Sequence, residues 1–571
     1  IMQCSNLTIA ASAFARTMDN NFTATGAVAV NGILQTAAQT LALGATGTLA
    51  IPSGGRLRVQ SGGGIVNSNP SGASFTVQSG GYLEIQDNGQ VSAASASDVN
   101  YVAGSTLEYS GTTTAKTTTA REIGASGVQN LLVTNTQSVT LGANALILQS
   151  MNINAASQLV LSNTGNPTLT LNGTLNQNGA ANISSVNGVN AGSISLGGAG
   201  GMTLQLNAVN NTLNNFTISR NGAHMITGDL NVRGTLDLAS GVLLPTTRIL
   251  SGDPTGTAVG IITGGNANSY IQGSLQRRFA GGIATAGTNY AFPVGAVAGY
   301  RPATLVDVLT GASPIVEIEN FDVGAMVHDI SLTSLLSPRN WRVQTISGVF
   351  SGSAVTLQDA GVTSAYVVGR SVSQTGVYQS VGGTNSGMTV TSGAGAVPPA
   401  VNHHFAIGSV LTVITNVAPL TVSPGDTITI TGNQFGGVSA VGIGGIPAAS
   451  FQIISQTQIR AVVGAGGSGV VSLISPSGVA ASTQQIAFMN APVITGFSPT
   501  FATTGNTVRI TGTRLQNPVA VSFGGLNALA FRSIDANTID ADVNLGNSGL
   551  VTVQTAGGLG ASTQQFTFIY K

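Results

Sequence analysis

Four histidines, His224, His328, His403 and His404, are the residues best placed to bind metal or move protons near neutral pH. None stands in a His-x-x-x-His or Glu-x-x-His pattern. The adjacent pair would point to opposite faces of a strand, which is poor geometry for one metal ion. Hydrolysis of a glycosidic bond would need two carboxylates across a sugar. The candidates are Glu84 with Asp87, and Glu317 with Glu319, which two-residue spacing puts on one strand face. Each pair reads more simply as an exposed strand face or a turn, because acidic residues stay solvated. Arg277-Arg278 reads as a solvated strand edge, and Trp341, the only tryptophan, as core and not as a sugar platform. The only lysines are Lys116 and Lys571, so 77 glycines never form a Gly-x-x-x-x-Gly-Lys phosphate loop. Residues 123–219 hold no Asp, Glu, Lys, Arg or His, and no acid–base catalyst can come from them. The expectation is a protein without catalytic residues, cofactor or metal.

The elements that carry these residues read as strands. The 571 residues are 42% hydrophobic and 7% charged, with 19 cations balancing 19 anions. An ordinary chain is about a quarter charged. This balance gives no electrostatic reason to bind nucleic acid or anionic lipid. Every apolar run is interrupted within a few positions, so no membrane-spanning helix is predicted and no membrane insertion is expected. Short apolar-polar-apolar triplets such as Leu57-Arg-Val59, Leu83-Glu-Ile85, Leu146-Ile-Leu148 and Leu236-Asp-Leu238 recur between Gly, Ser and Asn turns, and Val59-Gln-Ser-Gly-Gly63 returns as Val77-Gln-Ser-Gly-Gly81. Strands this short bury a core only when stacked coil upon coil, which predicts a β-solenoid resembling a parallel β-helix over 21–270, with amide side chains laddered between coils. Residues 271–410, with alternating runs such as Ile315-Val-Glu-Ile-Glu319, predict a β-sandwich capping the solenoid. Residues 411–490 and 491–571 repeat each other at an offset of 80, as in Gly444-Gly445 with Gly524-Gly525 and Ser482-Thr-Gln-Gln485 with Ser562-Thr-Gln-Gln565. Each copy is predicted to be a small antiparallel sandwich. The fold class is therefore all-β.

The second copy reads Pro499…Gly505-Asn-Thr-Val508-Arg-Ile510-Thr-Gly512…Leu515…Val521-Ser-Phe523-Gly524-Gly525. It resembles the immunoglobulin-like TIG (IPT) domain, and the first copy departs modestly, with Ile443 where the second has Phe523. Some TIG domains contact DNA. Here residues 411–571 carry only Arg460, Arg509, Arg514, Arg532 and Lys571 as cations, too few for a phosphate backbone. The order of solenoid, Gly273-Ser-Leu-Gln-Arg-Arg278, Phe292-Pro-Val-Gly295, Tyr300-Arg-Pro302, then a Trp-containing sandwich ending in Phe405-Ala-Ile-Gly408, is similar to large secreted surface proteins of Bacteroidetes. That resemblance implies export by the type IX secretion route. It also implies that Asp426-Thr427-Ile428 could be an O-glycosylation site at Thr427, although the same residues suit a turn entering a strand.

These readings predict a non-enzymatic extracellular or cell-surface protein, structural or adhesive, that self-associates into a filament or surface layer. The alternative is a secreted carbohydrate-binding or carbohydrate-degrading protein with TIG domains as spacers. Expected partners are further copies of the chain, with surface glycans or a host surface as the other candidates. Residues 1–20 are read as an extension whose Ile1, Met2, Cys4, Leu7 and Ile9 would contact a neighbouring subunit by strand addition. Cys4 is the only cysteine, so internal disulfides are excluded. The chain starts at Ile1, which fits a targeting peptide already removed.

Overall fold

A computed structural model describes residues 2–11, 15–70, 74–93, 98–161, 164–186, 190–329, 331–362, 366–399, 402–475 and 478–570. Ile1 lies outside them, and Met2 is described by its backbone alone. Strand makes up 58% of the chain and helix 1%. Two compact units are present, one of residues 1–329, 335–362 and 367–407, the other of 330–334, 363–366 and 408–571.

In the first unit the triplets become rungs of three parallel sheets. One sheet stacks Met2–Cys4, Phe22–Ala24, Thr40–Leu43, Gly64–Asn67 and Gln90–Ala93. A second stacks Leu7–Ile9, Ala27–Val30, Thr48–Ile51, Phe75–Val77 and Asn100–Tyr101. The third runs from Ala15–Thr17 through Ile33–Gln35, Arg56–Val59, Tyr82–Gln86, Thr106–Ser110, Val128–Val133 and Ala145–Ile153. The strands Met2–Cys4, Leu7–Ile9 and Ala15–Thr17, set apart above within an extension, thus belong to the first coil of the stack, because each pairs in parallel with the next strand of its sheet. Of the residues read there as subunit contacts, Cys4, Leu7 and Ile9 are half-buried, and Cys4 Sγ donates to the Asn6 carbonyl at 3.2 Å.

Parallel pairing in register puts each residue directly over its counterpart in the next coil, about 4.8 Å away. The inward column Leu34, Leu57, Leu83, Leu107, Leu131, Met151 and Leu175 is buried throughout. Outward columns within the charge-free stretch are laddered by amides: Asn176 Nδ2 donates to Asn152 Oδ1 at 2.8 Å, and Gln158 Nε2 to Asn182 Oδ1 at 2.9 Å. The repeated Gly-Gly turns have two separate causes. Gly62 and Gly80 adopt φ of 75° and 72°, where glycine has no steric penalty. Gly63 and Gly81 pass so close to the coil beneath that a Cβ would stand 2.2 Å from the Ala37 carbonyl oxygen and 2.3 Å from that of Ile51.

Parallel stacking ends where Ile271–Gln272 meets Val294–Ala296. Leu275–Arg278 opens an antiparallel run that continues through Ile315–Phe321, Asn340–Ser347 and His403–Ser409. A second sheet, of Tyr290–Phe292, Ala303–Thr310, Phe350–Gln358, Thr389–Thr391 and Thr384–Ser386, completes the sandwich elements. Trp341 is fully buried, and its Nε1 donates to the Arg301 carbonyl at 2.9 Å, which explains why the tryptophan and the Tyr300-Arg-Pro302 run occur together.

In the second unit each C-terminal copy packs a four-stranded sheet on a five-stranded one. The Ile443-to-Phe523 difference is matched inside the core by Ile486 becoming Phe566, and the two phenylalanine rings sit 4.8 Å apart. The recurring Ser-Thr-Gln-Gln marks a bulge. Ser482 Oγ accepts the Val471 N–H and donates to the Gln484 carbonyl, and Ser562 does the same with Val551 and Gln564.

Replacing Gly81 with alanine forces a Cβ into the coil below, and the expected cost is about 1–3 kcal/mol. Gly165→Ala, with no atom within 4 Å of its Cβ position, is expected to change stability by about 0.5 kcal/mol or less. Urea midpoints of the two variants of the whole chain check the difference.

Candidate binding faces

Two polar faces of the first unit gather four of the residues singled out by sequence, Glu84 on one and Glu317, Glu319 and His404 on the other. The first is the outward side of the solenoid's third sheet. Register places Arg56 over Tyr82, and Arg58, Glu84 and Glu108 in one column. Two adjacent carboxylates at that spacing repel each other unless a cation bridges them. Arg56 Nη1 does so, at 2.7 Å from Glu84 Oε2 and 2.9 Å from Glu108 Oε2, while Arg58 Nε donates to Glu84 Oε2 at 2.9 Å. Ser110 Oγ and Gln86 Nε2 donate to the other oxygen of Glu84, at 2.8 and 2.9 Å. The Arg56 guanidinium also lies over the half-buried Tyr82 ring, 4.6 Å from its centre.

Glu84, read from sequence as solvated, is in fact 3% exposed. Its strand lies between two others that supply its partners, a feature one sequence does not display. Burial by itself would raise its carboxyl, but the hydrogen bonds from Arg56, Ser110 and Arg58 outweigh it and hold the group below the usual carboxylate range. Such a group does not carry a proton at neutral pH, as a general acid must. Asp87 occupies a turn with φ of 48°, and its carboxylate accepts the Thr113 and Thr114 N–H groups.

The second face belongs to the sandwich sheet that follows the solenoid. Alternation puts Gln276, Glu317, Glu319, Phe321, Asn340, Arg342, Gln344 and His404 on one side of it. Arg342 Nη2 joins the two carboxylates, at 2.6 Å from Glu317 Oε1 and 2.7 Å from Glu319 Oε2. Ser274 Oγ and Gln276 Nε2 each donate to Glu317 Oε2 at 2.7 Å. Glu317 is therefore buried, contrary to the exposed-face reading. Phe321 is half-buried, with the Arg342 guanidinium 5.7 Å from its ring centre. Burial pushes the Glu319 carboxyl up; Arg342 opposes this and Glu317 adds to it.

His404 Nδ1 lies 2.8 Å from Asn340 Oδ1, while His403, its neighbour on the opposite face, is also buried. Burial, with Arg342 and His403 adding to it, pushes the His404 imidazole down to about 4. His224 is buried with Nε2 2.9 Å from the Arg220 carbonyl, and His328 Nδ1 faces the Asp329 carbonyl. Among the described residues no three His, Cys, Asp or Glu side chains gather as metal ligands would. Arg277 and Arg278 are 9% and 6% exposed, so the solvated-edge reading fails for both. The antiparallel strand Ile315–Phe321 covers the edge they would otherwise have formed.

A third ionic group was hidden from sequence. Lys116 Nζ, 2% exposed, lies 2.7 Å from Glu122 Oε1, and Glu122 Oε2 accepts from Tyr109 Oη and from the Thr119 N–H. Thr119 and Glu122 form the capping box of the one-turn helix Ala120–Ile123, a Thr-x-x-Glu signal that was present in the sequence. In the second unit Thr427 is exposed at a strand start, and Asp426 accepts the Ser423 N–H at 2.7 Å, as a turn residue does.

Residues 412–488 and 492–570 match the IPT/TIG domain family, so the C-terminal part consists of two such domains. No curated protein matches the chain. Among solved structures the chain is similar to SGBP-B from a complex xyloglucan utilization locus in Bacteroides uniformis, at 16% identity and a TM-score of 0.15, over 28% of this chain and 50% of that one. It is similar also to the Bacteroides ovatus mixed-linkage glucan utilization locus SGBP-B, captured with a mixed-linkage heptasaccharide, at 16% identity and a TM-score of 0.14, over 38% and 62%. A surface glycan-binding protein of Prevotella bryantii matches at 16% identity and a TM-score of 0.16, over 28% and 42%. The chain spans about half the length of these structures. No helix among the described residues is long and apolar enough to cross a membrane.

A histidine held down in the folded state binds its proton more readily when unfolded. Stability should therefore be complete above the unfolded value near 6.5 and be lost as pH falls from there toward 4. For His404 the loss approaches about 2–3 kcal/mol. His404→Gln should remove that part of the acid slope, measured as denaturation midpoint against pH.

Proposed function

We propose that the protein is a non-enzymatic extracellular surface protein of adhesive kind, which takes a carbohydrate partner on its two polar faces, with the TIG domains as spacers. The observation that carries this reading is the fate of the glutamates: Glu84, Glu108, Glu122, Glu317 and Glu319 are all engaged by arginine or lysine. A glycosidase keeps one carboxyl protonated and a second free to attack or to activate water. Here one arginine clamps both members of each close pair. What the two faces offer instead is a ring beside a guanidinium, with amides and hydroxyls around it. Tyr82 lies under Arg56, with Gln86 and Ser110 further along the same face, and Phe321 is flanked by Arg342 and Asn340, with Gln344 further along that sheet. Rings stack on the C–H faces of sugars, and fixed amides and guanidinium groups hydrogen-bond hydroxyls, which suits binding without turnover.

Self-association is the second reading, and one observation favours a particular edge for it. The strand Ala530–Asp535 lies at the edge of its sheet with every residue exposed, Phe531 and Ile534 included. Its counterpart in the first copy keeps Phe451 and Ile453 packed on the core. An exposed strand edge with apolar side chains is a template for pairing with another chain. End-to-end stacking through the first solenoid coil is less favourable, because Arg16 heads the column that continues as Leu34 and Leu57. A stacked neighbour would have to bury that charge.

Glycan-array binding by the whole chain, with a parallel assay for newly released reducing ends, tests the reading. Binding without release is expected, weakened about tenfold or more by Phe321→Ala or Tyr82→Ala, the loss of one stacking platform. Released reducing ends would overturn the non-enzymatic reading. Absence of glycan binding together with fibres in negative-stain micrographs, abolished by Phe531→Lys, would favour self-association.

A further inference from the structure

Arg277 stands where the solenoid becomes the sandwich. Its strand, Leu275–Arg278, pairs in parallel with Ile249–Ser251 and antiparallel with Ile315–Phe321. Register puts it in the column Val232, Ser251, Arg277, Val316. Val232 and Val316 are fully buried, so this column faces the interior, and Arg277 itself is 9% exposed. Nη1 donates to the Ala291 carbonyl at 2.6 Å, and the guanidinium carbon lies 5.2 and 5.9 Å from the ring centres of Tyr290 and Phe292.

Two donors of this arrangement find no acceptor among the described residues. Arg277 Nε is buried with no hydrogen-bond partner, and so is the Oγ of Ser251, its neighbour on the same face of the adjacent strand. Among the described residues no carboxylate comes within ion-pairing reach of Arg277. The contrast with nearby arginines is direct. Arg278 donates to the carbonyls of Asp253, Pro254 and Ser313, and Arg342 holds two carboxylates. A buried charge without a counter-charge is costly, and ring faces recover only part of that cost. Burial accordingly pushes the guanidinium down to about 10.

We propose that Arg277 Nε and Ser251 Oγ together bind a small monovalent inorganic anion of chloride's size, which closes the joint between the last solenoid coil and the sandwich. Two buried donors on the same face of adjacent strands and one uncompensated positive charge define an anion site. Apolar and aromatic walls favour a weakly hydrated monatomic ion over a strongly hydrated or bulky one, because the ion must shed its water to enter. The ion would bind the folded state alone and so stabilise it by mass action.

Thermal unfolding of the whole chain at one fixed ionic strength, in sodium chloride, bromide, fluoride or gluconate, tests the site. Chloride and bromide should raise the first transition by about 2–4 °C over gluconate. Fluoride should do little, and Ser251→Ala should reduce the difference. Arg277→Met should abolish it, and if that variant does not fold, anomalous scattering from bromide-soaked crystals decides by placing a peak between Arg277 and Ser251. Equal transitions in all four salts, an undiminished chloride effect in Arg277→Met, or bromide peaks elsewhere only would overturn the proposal; water alone would then satisfy the two donors.

Discussion

In-register parallel stacking governs the first unit more than any single contact. Each residue lies over its counterpart at about 4.8 Å, so whatever one coil does, the next must tolerate. Leucine over leucine builds the core, amide over amide builds hydrogen-bonded ladders, and glycine recurs where successive turns nearly touch. Within the third sheet, buried carboxylates are held by cations and donors from neighbouring strands. A carboxylate over a carboxylate is costly, and Glu84 over Glu108 is relieved by Arg56 reaching both. The same constraint accounts for the scarcity of charge. An unpaired ion in one coil is a penalty in three, and residues 123–219 avoid it by carrying none.

Where charges do occur, they act as fasteners at places where regular stacking changes. Lys116 and Glu122 pin the one-turn helix beside the coils. Glu317, Glu319 and Arg342 tie together the first antiparallel strands after the solenoid. Arg277 sits at the switch from parallel to antiparallel pairing, between Ser251 and Val316. Polar groups committed in this way order a surface, and the two faces present rings, amides and clamped ions together.

The repeated domains show the same economy in another form. Phe523 with Phe566 replaces Ile443 with Ile486, so a difference that looks like a local departure is one half of a paired change in core volume. The Ser-Thr-Gln-Gln run persists because its serine satisfies an N–H that the bulge frees from the strand ladder. The exposed Phe531, against the packed Phe451, shows that equal spacing in sequence does not guarantee equal environment.

By itself the sequence determined the all-β class, the stacking of short strands into a solenoid, the tandem repeat and its family, because these rest on local alternation, on glycine chemistry and on matches along the chain. It also placed Trp341 in the core and kept Lys116 from any phosphate loop. Only the tertiary structure decided which charges are buried and with whom. Glu84 finds Arg56 across 28 residues, Glu317 finds Arg342 across 25, and Arg277 loses its solvent edge to a strand some forty residues later. Those partners are neighbours through strand register, and register between coils is a property of the stacked chain that no single triplet encodes.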